Sequence, residues 1–152
     1  MARAPFQVLV IPYRINLHNQ LEFALLKRAD DGFWQGIAGG GEDNETHLEA
    51  ARRETFEETG IEPTSNFLRL DTIDSVPVTA FKDSLLWGED VFVIPQYCFG
   101  VNAFDLEIRI SQEHSAFRWL PYDQTHRLLK FDGNKTALWE LNLRLKGKGP
   151  RG

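Results

Sequence analysis

The apolar positions of the chain fall into two rhythms. "FQVLVIPYRI" and "LEFALLKRA" are nearly unbroken runs of aliphatic and β-branched residues, and they flank "NLHNQ", whose polar residues suit a turn, so two paired strands are expected. "DDGFWQGIAGGG" mixes turn residues with a short apolar piece, which predicts a loop, a brief strand and a second loop. From Thr46 the period lengthens. Leu48, Ala51 and Thr55 recur at helical spacing as a narrow stripe of mostly small residues. Thr46 and Glu49 form a capping box at the helix start, and Gly60 followed by Pro63 ends the helix. "FLRLDTIDSVPV" and "DVFVIPQYCFGVNA" read as further strands, joined by an exposed connection, "TAFKDSLLWGE". "LEIRI" alternates as a strand does, and "SAFRWL" reads as the last one. Pro77 and Pro95 favour strand ends, edges or bulges. After Pro121, two helical patterns follow, with Leu138, Leu141 and Leu145 on one side of the second. The order of elements predicts a mixed sheet held between helices, in one domain over residues 1–145, followed by a mobile tail over 146–152.

Composition narrows the function classes. A chain of 152 residues with 42% hydrophobic and 26% charged residues fits one ordinary globular domain. A net charge of −5 speaks against broad attachment to a nucleic acid polymer or an anionic membrane. It leaves open an anionic small molecule met through a metal ion. Cys98 has no second cysteine to pair with and sits in an apolar run, where a packing role is expected. No apolar stretch reaches the roughly 20 residues that span a bilayer, and the start of the chain lacks a signal-like pattern, so a cytoplasmic location is expected.

The chemistry concentrates between residues 39 and 61. Glu54, Glu57 and Glu58 stand at i, i+3 and i+4 on the predicted helix, so their carboxylates share one face and repel one another. Arg52 and Arg53 are placed to relieve part of that repulsion, and the excess invites a cation. Carboxylates are hard ligands suited to Mg²⁺, or to Mn²⁺ in its place, and Mg²⁺ commonly shares its remaining positions with substrate phosphates. From the three carboxylates alone, a solvated acidic helix face remains the competing reading. Gly39, Gly40 and Gly41 precede this helix and allow close backbone approach.

The joint spacing changes those odds. Gly39, five residues, Glu45, seven residues, and then "RETFEETGI" from Arg53 to Ile61 resembles the Nudix box. That resemblance implies an α/β fold, an α/β/α sandwich with a mixed sheet in which the box forms a loop, helix and loop. It implies that Glu54, Glu57 and Glu58 bind divalent metal, with a glutamate as base, and that the carbonyl of Ala38 is a further ligand. It also implies that Arg53 and Glu45 tie the motif together and that Gly60 closes it. Three positions depart from the pattern: Thr55 replaces an aliphatic residue, Gly41 a bulky apolar one and Asn44 a glycine. Asn tolerates positive φ, Thr suits a packed stripe, and Gly41 is expected to loosen local packing.

"EIRISQEHSAFRWLPYDQTHRLLKFDGNKTALWEL" is similar to the C-terminal part of two groups in that family. These are the asymmetric diadenosine tetraphosphate hydrolases and the bacterial pyrophosphohydrolases of dATP or dihydroneopterin triphosphate. The similarity makes Glu113 a candidate metal ligand or general base, while His114 is expected to satisfy a local hydrogen bond. Arg28, Arg118, Lys130 and Lys135 are candidate phosphate contacts, with Gly39 and Gly40 lining the substrate site. Phe33 and Trp34 are expected to pack in the core, with a base-binding pocket as the alternative. The leading expectation is Mg²⁺-dependent hydrolysis of a pyrophosphate bond in a nucleoside triphosphate or other nucleoside diphosphate derivative. Its competitors are an asymmetric dinucleoside polyphosphate hydrolase and a catalytically silent nucleotide-binding module. Monomer and homodimer both stay open.

Overall fold

The computed structural model describes residues 3–81 and 85–151. The long apolar runs are strands buried on both faces. β1 (Arg3–Ile15) and β2 (Leu21–Arg28) pair antiparallel at Tyr13–Phe23 to Ile15–Leu21, around a turn in which Asn19 takes φ 60°. Further along, β1 pairs antiparallel with β4 (Ile37–Glu42) and, on its other side, parallel with β6 (Val93–Asn102). β3 (Trp34–Gln35) and β7 (His114–Leu120) flank β2, and β5 (Phe67–Pro77) lies at the far edge beside β6.

Alternation along the strands divides the core in two. Val8, Val10, Ala24, Leu26, Phe99 and Val101 face α1 (His47–Thr59) together with Ala50, Ala51 and Ile61. Leu9, Ile11, Phe23, Leu25 and Cys98 face the opposite way, toward Leu129 and toward Ala137, Leu138 and Leu141 of α3 (Asp132–Leu145), which follows α2 (Tyr122–Leu128). A mixed sheet between helices is therefore the architecture, an α/β/α sandwich. Sheets covered on both sides need runs without polar alternation, which is why β1 and β2 read as nearly continuous apolar segments.

The boundaries of α1 follow their local chemistry. The Thr46 side chain accepts from Glu49 N at 3.1 Å and Glu49 Oε1 accepts from Thr46 N at 2.8 Å, the reciprocal capping box. Gly60 ends the helix at φ 75°, in the left-handed conformation. Ala50, Ala51 and Thr55 are fully buried, so small side chains let the helix lie close on the sheet.

Three expectations are corrected. Gly39–Gly41 form the middle of β4, not a loop, because β1 supplies a ladder partner to each side of the run. The "LEIRI" segment joins no strand. Arg109 N donates to Thr59 O at 2.8 Å and Ser111 N to Glu58 O at 3.2 Å, so this stretch runs against the end of α1, and its alternation reflects Ile108 and Ile110 packing on that core. The positive φ in this loop is at Asp43, with φ 46°, so the tolerance of Asn44 is not called on. Gly41 does not loosen the packing, since the Phe6 ring occupies the space its side chain would need.

The connection after β5 includes a single 3-10 turn at Val78–Ala80, and part of it, residues 82–84, lies outside the described residues. Leu85 and Leu86 are exposed there, as expected of that segment. Pro77 ends β5. Pro95 sits in β6 just before its pairing with β1 begins at Gln96, so its missing N–H leaves no break in that ladder. Cys98 is buried in the core facing α3, where burial pushes its thiol up to about 12. Among the described residues no helix is long and apolar enough to cross a membrane.

Candidate active site

Arg53 organises the acidic helix. Its Nε donates to Glu45 Oε2 at 2.8 Å and its Nη2 to Glu45 Oε1 at 3.0 Å, while Nη2 also reaches the Gly40 carbonyl at 2.8 Å. Nη1 donates to Glu54 Oε1 at 3.0 Å and to Glu57 Oε2 at 3.3 Å. One planar fork thus joins β4, the loop after it and two helix carboxylates, a task that a lysine point charge does not perform. Glu45 Oε1 also accepts from Glu42 N at 2.8 Å, and the Arg53 hydrogen bonds hold the Glu45 carboxyl below its ordinary range. Arg52 does not share this work. Its guanidinium lies 5.8 Å from the Phe67 ring centroid, away from the carboxylates.

The three glutamates share a face but not an environment. Glu57 keeps 55% of its side chain exposed, Glu54 15% and Glu58 4%. The Glu54 carboxylate occupies the space a side chain on Gly39 would take, so any larger residue there would displace the carboxylate. Burial raises the Glu54 carboxyl despite Arg53. Burial, then the charges of Glu54 and Glu113, raise Glu58 to about 9, and its Oε2 is buried with no hydrogen-bond partner. His114 Nε2 stands 3.4 Å from Glu58 Oε1, and burial lowers the imidazole, so it offers a neutral ring rather than a counter-charge. The local hydrogen bond expected of His114 is not made: its Nδ1 is buried without a partner, and the ring instead neighbours the acidic cluster.

Tertiary structure adds the fourth carboxylate. Glu113 precedes β7, and its carbonyl accepts from Ala29 N at 2.9 Å, which fastens this loop beside the end of β2. Glu54, Glu57, Glu58 and Glu113 line one cleft of about 370 Å³ with Ser111 and Gln112. No three such side chains among the described residues are already gathered around one point. The donor set nonetheless fits a hard divalent cation. A buried carboxylate with an unpartnered oxygen, pushed up by burial and by the neighbouring carboxylates, is stabilised by a cation where it otherwise retains a proton.

From Glu58, Gln112 and Glu113 the cleft continues into a larger one of about 720 Å³, walled by Arg3, Gln7, Arg28, Ala38, Phe81 and Trp87. A third part, of about 530 Å³, shares Gln7, Arg28, Gln35 and Ala38 and reaches Asp74, Gln96, Phe131 and Asn134. Arg28 is currently held by Asp30, at 2.9 and 2.6 Å, and by Asp31 at 3.2 Å.

Arg3 is the residue that motif reading missed. Its guanidinium packs on Gly40, donates to Gln7 Oε1 at 2.6 Å and lies 4.9 Å from the Phe81 ring centroid. No local pattern marks an arginine at the start of a strand. The pairing of Arg3 with Glu42 across β1 and β4 brings it to the cleft.

Other candidates lie elsewhere. Arg118 is exposed on β7 and lines none of these clefts, and neither does Lys135 of α3. The Lys130 ammonium stands 3.5 Å from the Phe33 ring centroid. Trp34 packs against the core facing α3, as expected, whereas Phe33 does not; it remains 37% exposed and meets Phe131 edge to face at 6.5 Å.

A mixed sheet between helices, carrying a glutamate-rich helix tied to β4 by one arginine, defines a class of cation-assisted phosphate chemistry. The NUDIX domain model matches residues 7–139, and the chain belongs to the NUDIX family, as a hydrolase acting on phosphoric anhydride bonds. It is 36% identical to the asymmetrical bis(5'-nucleosyl)-tetraphosphatase of Rattus norvegicus over 126 residues, covering 79% of this chain and 78% of that enzyme. A crystal structure described as a NUDIX hydrolase from Listeria monocytogenes superposes with a TM-score of 0.85 at 40% identity, covering 96% of this chain and 99% of that one. The E. coli dihydroneopterin triphosphate pyrophosphohydrolase shares the fold, with a TM-score of 0.74 at 24% identity over 93% of this chain and 99% of that one. Hydrolases of this family generally use divalent metal ions.

Proposed function

We propose that the protein is a Mg²⁺-dependent nucleotide pyrophosphohydrolase, with Mn²⁺ able to substitute, acting on nucleoside triphosphates or related nucleoside diphosphate derivatives. The observation that carries this reading is one continuous cleft, running from four carboxylates past two arginines to a pocket with an aromatic wall. Glu54, Glu57, Glu58 and Glu113, with the Ala38 carbonyl, would hold the cation. When bound, it lowers the pKa of water and neutralises charge on phosphate oxygens.

The protein's own groups divide the remaining work. Arg53 orients Glu54 and Glu57 through its fork and is a positioning residue. Glu113, which lines the same cleft as the helix carboxylates, takes the proton as water attacks phosphorus and the anhydride P–O bond breaks. Arg3 and Arg28 meet the phosphate chain, Arg28 exchanging Asp30 and Asp31 for substrate oxygens. Gly39 and Gly40 act through what they admit: the Glu54 carboxylate against one, the Arg3 guanidinium against the other.

The test is a Mg²⁺-dependent hydrolysis screen over nucleoside triphosphates and dinucleoside polyphosphates, with the products identified by mass, repeated with E57Q. Nucleoside monophosphate plus pyrophosphate is expected from the triphosphates, with turnover lost in E57Q but not the fold. Turnover without added cation, or undiminished in E57Q, refutes the assignment. A second reading, asymmetric cleavage of dinucleoside tetraphosphates, is favoured by the identity to the rat enzyme, and unequal nucleotide products from diadenosine tetraphosphate would select it.

A further inference from the structure

The far end of the cleft is built from groups that the phosphate chemistry does not use. Gln7 pairs with Gln96 and Gln96 with Asp74, so three adjacent strands place a row of polar side chains across the sheet. Two residues further along β1 and β6, on the same face, the row becomes Leu9 and Cys98 of the apolar core. The polar row is thus the point where that core opens.

α3 begins directly above it. The Asp74 carboxylate stands where a side chain on Gly133 would go, so any larger residue at 133 would displace the acid from the first turn of the helix. One residue on, Asn134 is 5% exposed and lines the cleft, and its Oδ1 is buried with no hydrogen-bond partner. Such a group costs stability unless a partner arrives. Phe131, at the helix cap and 46% exposed, supplies an aromatic face at the same wall.

We propose that Asp74, with Asn134 beside it, reads the heterocycle of the substrate and selects a ring edge carrying adjacent N–H donors. That edge is the 2-amino-4-oxopyrimidine edge shared by guanine and pterins, in preference to adenine. This inference rests on the nucleotide pyrophosphohydrolase reading above. An ionised carboxylate only accepts hydrogen bonds, and two oxygens provide about four lone-pair positions. Asp74 Oδ1 uses one on the Ser75 N–H at 2.9 Å. Guanine offers a ring N–H beside its amino group, so both face acceptors. Adenine offers an amino group beside a ring nitrogen lone pair, which would confront the carboxylate. Hypoxanthine keeps the ring N–H and lacks the amino group, so it isolates that single donor.

The competing role for Asp74 is purely structural, seating the first turn of α3, and it predicts equal effects on every substrate. The experiment measures kcat/KM with Mg²⁺ for GTP, ITP and ATP in the wild-type protein and in D74N, with equilibrium binding of GTP and ITP followed alongside. GTP is expected to exceed ITP by about tenfold or more, the size of one charge-assisted hydrogen bond, and ATP to rank no better than ITP. D74N is expected to bring the GTP/ITP ratio near unity. A wild-type ratio within twofold, or a ratio unchanged in D74N, overturns the proposal. Should no nucleotide be hydrolysed while GTP still binds about tenfold more tightly than ITP, the assigned activity falls and the base reading stands.

Discussion

Glu57 and Glu58 are adjacent in sequence and opposite in setting, one 55% exposed and the other 4%. The buried carboxylate is raised by desolvation and by the charges of Glu54 and Glu113. E58Q keeps the size of the side chain and removes the charge that a cation would meet. It is expected to lower Mg²⁺-dependent kcat on the order of 10²-fold or more, with an unchanged circular dichroism spectrum; near-wild-type turnover would contradict a role for Glu58 in metal binding. Arg3 tests the opposite wall. If its guanidinium meets the phosphate chain, R3A should raise KM by about 10- to 100-fold with a smaller change in kcat, and an unaltered KM would remove Arg3 from the substrate path.

Among the elements, α3 holds the edge strand chiefly through Glu140, with Arg144 Nη2 also reaching Asp71 Oδ2 at 3.0 Å. β5 shifts register between Arg69 and Ile73, and Glu140 accepts from Asp71 N at 2.6 Å, Thr72 N at 2.8 Å and Thr72 Oγ1 at 2.6 Å across that irregularity. Arg144 Nε donates to the same carboxylate at 2.7 Å. Burial acts to raise the Glu140 carboxyl, and these donors together outweigh it, so its pKa lies below the ordinary value of 4.5. A depressed carboxyl contributes stability that is present above the unfolded value and is lost as pH falls through the folded one. E140Q should therefore cost about 2 kcal/mol in urea unfolding at pH 7. The gap to wild type should narrow as pH drops below 4.5, and a gap independent of pH would show that the charge contributes nothing. The capping box at Thr46 makes a simpler case: T46A should cost about 1 kcal/mol by loss of one satisfied N–H at the start of α1, read from the same unfolding curves.

For the molecule as a whole, the acidic cluster makes stability a function of cation. Anything that binds the folded state and not the unfolded one raises the melting temperature by mass action. Mg²⁺ in excess should raise Tm in the wild-type protein, and the shift should vanish in the triple variant E54Q/E57Q/E58Q. An equal shift in both proteins would place the cation elsewhere. The net charge of −5 adds nothing specific here, because the effect depends on where four carboxylates meet and not on their number.

Much of this was legible in the chain because it is local. A capping box spans four positions, a left-handed stop needs one glycine, and i, i+3 and i+4 carboxylates share a helix face whatever surrounds them. Continuous apolar runs marked strands covered on both sides, and the spacing of the glutamate motif led to the family. The misreadings arose where partners are distant. Three glycines looked like a loop until β1 lay beside them, "LEIRI" alternated against a helix end and not a sheet, and Phe33 was apolar yet stayed at the surface with Phe131. The sequence by itself determined most of the elements, the limits of α1 and the acidic face, since short-range sterics and hydrogen bonding set these. Only the tertiary structure decided that Glu58 is buried and Glu57 is not. It also brought Glu113 and Arg3 to the same cleft and set Asp74 beneath the first turn of α3. Burial and convergence depend on contacts between residues far apart in the chain.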